Sequence, residues 1–108
     1  MTDAIRWKVH DHFGNEIYLT QERWEHIIDA INHPEFIGHE EELKKTIRQG
    51  TRKQDPLNPQ KIRYTKAFDN LPMDNTHVVV VVLYRYREHA GQLTPNNYVV
   101  TAYQVEMD

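Results

Sequence analysis

Tyr64 and Lys66 lie two residues apart in Ile62-Arg63-Tyr64-Thr65-Lys66-Ala67-Phe68, and Thr101 and Tyr103 repeat that spacing near the C-terminus. Side chains alternate between the faces of a strand, so each pair projects to one side of its strand, Thr101 and Tyr103 together with Val99 and Val105. Arg85 and Arg87 share a side with Val79, Val81 and Leu83 in the same way. If these strands are neighbours, cationic, phenolic and hydroxyl groups converge at one end of a sheet. With a histidine added, such a set suits RNA cleavage without a metal. A base takes the proton of the ribose 2′-OH, a cation stabilises the charge building on the phosphate, and an acid protonates the departing 5′-oxygen. The same residue types also suit solvated strand edges, where Lys, Arg and Thr are ordinary.

Other chemistries find less support. Four glycines leave no phosphate-cradling loop of the P-loop or dinucleotide type. The lack of cysteine rules out disulfides and thiolate zinc sites. Seven histidines prompt a test for a metal. His10 and His12 share a strand face and His33 and His39 flank a turn, but zinc needs three or four converging ligands and no third stands at a telling spacing. No metal and no cofactor is therefore expected.

The net charge of −3 argues against a nucleic-acid partner until its distribution is considered. Residues 1–43 hold three cations against ten carboxylates, whereas residues 44–66 hold eight cations against Asp55 alone. A chain that concentrates its cations in this way can carry a basic surface despite an acidic average. Arg48, Arg52, Lys53, Arg63 and Arg85 are the candidate nucleic-acid contacts, with RNA as the expected partner. The alternative is a self-paired helix: Glu40 and Glu41 stand four residues before Lys44 and Lys45, the favourable order for helical ion pairs.

The elements that must position these residues are legible in the hydrophobic pattern. Arg6-Trp7-Lys8-Val9 and Glu16-Ile17-Tyr18-Leu19 alternate as half-buried strands, with Gly14-Asn15 as the hairpin turn between them. Thr20 is a good N-cap for a helix whose buried face is Trp24, Ile27, Ile28 and Ile31, ended by Asn32-His33-Pro34. A second helix is expected from about His39 to Gln49, with Leu43 and Ile47 inward and Gly50 as terminator. Residues 51–60 read as a polar connection, 71–75 as a loop, and the region around Gly91 as a turn leading to the last strand. Residues 62–68 form a strand, His77 to Arg87 the strongest strand, and Tyr98 to Val105 the last. Five consecutive valines suit a central strand covered on both faces. The expected fold is α+β, with two helices packed on a mainly antiparallel sheet in a β-β-α-α-β-β-β meander. At 108 residues and 39% hydrophobic, residues 1–108 make one domain with a single two-layer core.

The run Ile17-Tyr18-Leu19-Thr20 leading into Arg23-Trp24-Glu25-His26-Ile27, then His33-Pro34-Glu35, Tyr64-Thr65-Lys66, the valine strand and Thr101-Ala102-Tyr103 resembles the phage-associated branch of the barnase–EndoU–colicin–RelE-like nuclease superfamily. The likeness covers nearly the whole chain in order. It implies a metal-independent endoribonuclease cutting by 2′-OH attack, often a toxin of a toxin–antitoxin or phage-conflict system. By the same resemblance His26 is the acid or base, Lys66 the phosphate-binding cation, Thr101 the hydroxyl contact, and Tyr103 lines the site. An antitoxin protein or the ribosome would be further partners.

Two other classes stay open: a non-catalytic interaction protein of the same fold that binds RNA or a macromolecular complex, and a small-molecule or metal-binding domain. The N-terminus lacks the apolar core of a signal peptide, and the longest apolar run, 78–83, is too short to span a bilayer. No membrane role and a cytoplasmic location are expected.

Overall fold

The computed structural model describes residues 4–29 and 32–107. Among the described residues, eight strands, two helices and one short 3-10 turn follow in chain order. Strands β1 (Ile5–His10) and β2 (Glu16–Thr20) form the opening hairpin, α1 spans Gln21–Ile27, and a 3-10 turn covers Pro34–Phe36. Helix α2 (Glu40–Gln49) then leads into β3 (Thr51–Gln54), β4 (Lys61–Ala67) and β5 (His77–Leu83). Strands β6 (Tyr86–His89) and β7 (Gln92–Pro95) make a separate hairpin before β8 (Asn97–Val105).

Six strands lie in one sheet in the order β1-β2-β8-β5-β4-β3. All neighbours are antiparallel except β2 and β8, which run parallel over Ile17–Asn97 and Tyr18–Tyr98. The α+β, mainly antiparallel architecture expected from the sequence is what the chain adopts. Strands β3, β4, β5 and β8 neighbour one another in turn as the antiparallel meander expected, and β8 joins them to the opening hairpin through its parallel pairing with β2.

Cross-strand partners share a face, so the register assigns every strand residue. Ile62, Tyr64 and Lys66 stand opposite Val82, Val80 and Val78. Val99 and Ala102 extend that row on β8, with a bulge between them where the register shifts. This face is covered by the helices, and Ile17, Leu19, Trp24, Ile27, Phe36, Leu43 and Ile47 complete the buried core. The other face, with Val79 and Val81 at its centre, carries no helix.

Thr20 caps α1 as expected, its Oγ1 accepting from Arg23 N at 3.1 Å. The helix stops at Ile27, earlier than the apolar spacing suggests. Asn32 Nδ2 donates to His26 O at 2.9 Å and His33 N to Ile27 O at 2.8 Å, so the following segment takes the carbonyls a further turn would have used. Ile28 packs partly against the core, and Ile31 lies outside the described residues.

Two stretches read as connections are strands. Thr51–Gln54 pairs with Gln54↔Ile62 through Thr51↔Thr65, and the region around Gly91 is the β6–β7 hairpin, turning at Ala90 (φ 52°) and Gly91 (φ 78°). The strand expected to run from His77 to Arg87 breaks at Leu83, so Arg85 and Arg87 do not continue the Val79–Val81–Leu83 row.

Gly50 ends α2, but in an extended conformation (φ −72°, ψ 165°) rather than a left-handed cap. What it supplies is space. A Cβ there would lie 2.4 Å from Thr46 O and 2.8 Å from Thr65 O, both backbone atoms. Gly50→Ala therefore forces α2 away from β4, and a loss of about 1–3 kcal/mol is expected, as for other overpacked sites. A urea midpoint unchanged from the parent would refute this account of Gly50.

Candidate active site

The uncovered sheet face is where polar and aromatic groups collect. Tyr18 on β2 pairs with Tyr98 on β8, their ring centroids 6.0 Å apart. Thr101 and Tyr103 follow on the same face opposite Val81 and Val79. Where β2 turns into α1, a cleft of about 480 Å³ is lined by Tyr18, Thr20, Glu22, Arg23, His26 and Tyr98. The Thr20 cap fixes the direction in which α1 leaves the sheet, and so aims Glu22, Arg23 and His26 over the tyrosine pair. Glu22 and His26 are one helical turn apart, which places them on the same side of α1. An imidazole, a carboxylate and a guanidinium thus border one open cleft with two phenols behind them.

The main sheet is rich in cations. Among the described residues, the six strands of the main sheet carry seven Lys or Arg against Glu16 alone. Lys8, Lys53, Lys61 and Arg63 fall on the uncovered face, by their pairings with Tyr18, Arg63, Leu83 and Val81 respectively. Arg63 is held loosely, with Nη2 3.9 Å from Asp55 Oδ2.

The residues expected to converge divide between the two faces. His26, Thr101 and Tyr103 belong to the uncovered side. Lys66 belongs to the helix-covered side, where its Nζ lies 5.3 Å from the Phe68 ring centre. Lys66 and Thr101 therefore do not share a cleft: the β8 bulge breaks the parity that set Thr101 and Tyr103 on the side of Val99, so Val99 stays with the core row opposite Val82 while Thr101 and Tyr103 turn to the face opposite Lys66. Tyr64 is fully buried and lines no cleft.

The expected basic patch is divided as well. Lys53 and Arg63 face outward on the uncovered side. Arg48 is exposed near the end of α2, on the helical side, where its carbonyl bonds His12 Nδ1 at 3.2 Å. Arg85 sits beyond the end of β5, beside Tyr84 and Tyr86. Arg52 is turned inward over a buried network and is not a free surface cation.

That network joins four elements. The Asp11 side chain is wholly buried at the end of the opening hairpin. Its Oδ1 accepts from Phe13 N and Asn15 N, both at 2.9 Å, and its Oδ2 from Asn15 Nδ2 at 3.0 Å and Tyr64 OH at 2.6 Å. Tyr84 OH reaches Oδ2 at 3.3 Å and also bonds the Tyr64 hydroxyl. Arg52 Nε stands 3.9 Å from Oδ2, and its guanidinium lies 4.9 Å from the Phe13 ring centre and 5.4 Å from that of Tyr84. Burial pushes the Asp11 carboxyl up, but the Tyr64 and Asn15 hydrogen bonds outweigh it and hold the group below its ordinary value. Burial, then the hydrogen bond to Asp11, pushes the Tyr64 hydroxyl well above its ordinary value. Tyr64 is thus a fixed donor, not a proton-transfer group.

Glu22, Arg23, Tyr18 and Tyr98 were not singled out from the sequence. The i, i+4 spacing of Glu22 and His26 was a usable signal, and Tyr18-x-Thr20 was another. Among the described residues no three of His, Asp and Glu gather as a metal would require, and no helix is long and apolar enough to cross a membrane. Comparison with known protein families, curated proteins and solved structures finds no match.

Proposed function

We propose that the chain is a metal-independent endoribonuclease whose cutting site is the cleft between α1 and the Tyr18–Tyr98 pair. The observation that carries this reading is the meeting of His26, Glu22 and Arg23 at one open cleft on the cation-bearing face. His26 and Glu22 are the proton-transfer pair for 2′-OH attack and departure of the 5′-oxygen. Arg23 takes the role that the resemblance gave to Lys66, holding the phosphate as its charge grows. Thr101 and Tyr103 extend the same face and contact the neighbouring part of the chain being cut. The site's place on a face with few carboxylates supports an RNA partner, because phosphate contacts dominate such affinities. A toxin role, with an antitoxin or the ribosome as partner, belongs to this proposal through the family resemblance alone.

The test is product analysis on a defined single-stranded RNA in the presence of a chelator. Cleavage that persists and leaves 2′,3′-cyclic phosphate ends is the expected result. Activity that vanishes with the chelator and returns with magnesium or zinc would rule the mechanism out. Lys66→Ala separates the two cation assignments. With Lys66 on the helix-covered face, that variant is expected to cut at the parental rate, and a loss of about 10²-fold or more would return the phosphate site to Lys66.

A further inference from the structure

Tyr18 borders two clefts at once. On its far side a second cleft, about 420 Å³, opens between the β1–β2 hairpin and the β6–β7 ribbon. The residues that matter there are Lys8, Glu16, Arg87, His89 and Asn96. Lys8, Tyr18 and Tyr98 form one row across β1, β2 and β8. At about 4.8 Å per strand, Lys8 stands roughly 10 Å from Tyr98. The ribbon supplies the opposite wall. Its pairings Arg87↔Thr94 and His89↔Gln92 put Arg87 and His89 on one face and carry Glu88, paired with Leu93, to the other.

This wall is anchored. Asn96 Oδ1 accepts from Tyr18 OH and from Arg87 Nη2, both at 2.9 Å, so one side chain fixes both the ring and the cation. Arg87 spends one of its five N–H donors on Asn96 and keeps the others for a ligand. Lys8 lies 3.6 Å from Glu16, and both side chains are half exposed. The cleft therefore presents two permanent cations and one carboxylate, with a tyrosine ring as the partition toward His26.

We infer that this second cleft binds the phosphate of the nucleotide adjoining the one that is cut, so that the substrate is single-stranded RNA laid across Tyr18. The inference rests on the reading of the first cleft as the cutting site. An unpaired base can stack on the Tyr18 ring between the two phosphates, whereas a paired base has no free face to offer it. The ribbon then acts as a wall that keeps the strand in register between Arg87 and Arg23.

The test uses the full chain and a fluorescein-labelled octanucleotide of 2′-O-methyl RNA, which cannot be cut, in an anisotropy titration at several salt concentrations. Lys8→Ala/Arg87→Ala is expected to weaken binding about tenfold or more at low salt. The slope of log K against log salt should fall by about 0.7, as the loss of one phosphate contact on a single strand requires. Glu88→Ala, on the ribbon's other face, is the control and should not weaken binding. The matching duplex should bind more weakly than the single strand. Unchanged affinity and slope in the double variant overturn the subsite, as does a duplex bound as tightly as the single strand. Cleavage of the unmodified octanucleotide is scored separately. A chain that binds as expected yet cuts nothing refutes the cleavage reading and leaves the subsite standing as part of an RNA-binding face. One that cuts while its binding ignores Lys8 and Arg87 refutes the subsite alone.

Discussion

His26→Ala is expected to reduce RNA cleavage by about 10²–10⁴-fold, the usual weight of a general acid or base. The side chain is exposed on α1, so its removal should leave the circular dichroism spectrum and the thermal midpoint unchanged. Arg23→Ala should cost about 10²–10³ in rate, with Arg23→Lys recovering part of it because the charge survives. Glu22→Gln belongs to the same experiment, since the carboxylate and the imidazole divide the two proton transfers between them. Full cleavage by His26→Ala, measured as product formed from a defined RNA, would place the cutting site elsewhere.

The largest effect on stability is expected at Asp11. Asp11→Ala removes the acceptor of two backbone N–H groups and three side-chain donors and leaves Arg52 without its counter-charge. Breaking such a buried charged set costs about 3–5 kcal/mol. For a domain of this size that lowers the melting temperature by at least about 12 °C. Asp11→Asn keeps the shape but puts an amide where one carboxylate oxygen accepted, so a smaller loss is expected. The pH dependence has a definite sign. Asp11 titrates lower in the folded chain than in the unfolded one, so its contribution is complete above the ordinary aspartate value of about 3.9 and disappears as pH falls through the folded value. Acid unfolding of the parent should be steeper over that range than that of Asp11→Asn. Equal stability of parent and Asp11→Ala in urea would show that the network is incidental. The same geometry explains why Arg52→Glu is a poor probe of RNA binding: it would set a second carboxylate against Asp11. Lys53, Lys61 and Arg63 are the residues whose reversal tests the open face.

The elements with a strong hydrophobic period were legible in advance. Trp24 with Ile27, and Leu43 with Ile47, carry a helical spacing, and the five valines of β5 have the composition of a central strand. Thr51–Gln54 was not legible, because a short edge strand of four polar residues has no apolar side chains and hence no hydrophobic alternation to read. Around Gly91 the turn was legible but the two strands it joins were not, for a related reason: both strands of that ribbon are solvent-exposed. Of the residues in the proposed site, His26, Thr101 and Tyr103 were candidates from the sequence, whereas Tyr98 carries no mark in the sequence until β8 lies beside β2.

By itself, the amino-acid order determined the α+β class, the capped start of α1, the helical i, i+4 relation of Glu22 to His26, and the common side that Tyr64 shares with Lys66 and Thr101 with Tyr103. These are local properties, set by backbone geometry over a few residues. The tertiary structure alone decided which strand sides form a common face, because that depends on the insertion of β8 between β2 and β5 and on the bulge that shifts its register. It also decided that Tyr64 and Arg52 belong to a buried network around Asp11. Asp11 and Tyr64 stand 53 residues apart, and only the packed sheet brings a carboxylate, two phenols and a guanidinium within hydrogen-bonding and ion-pairing reach.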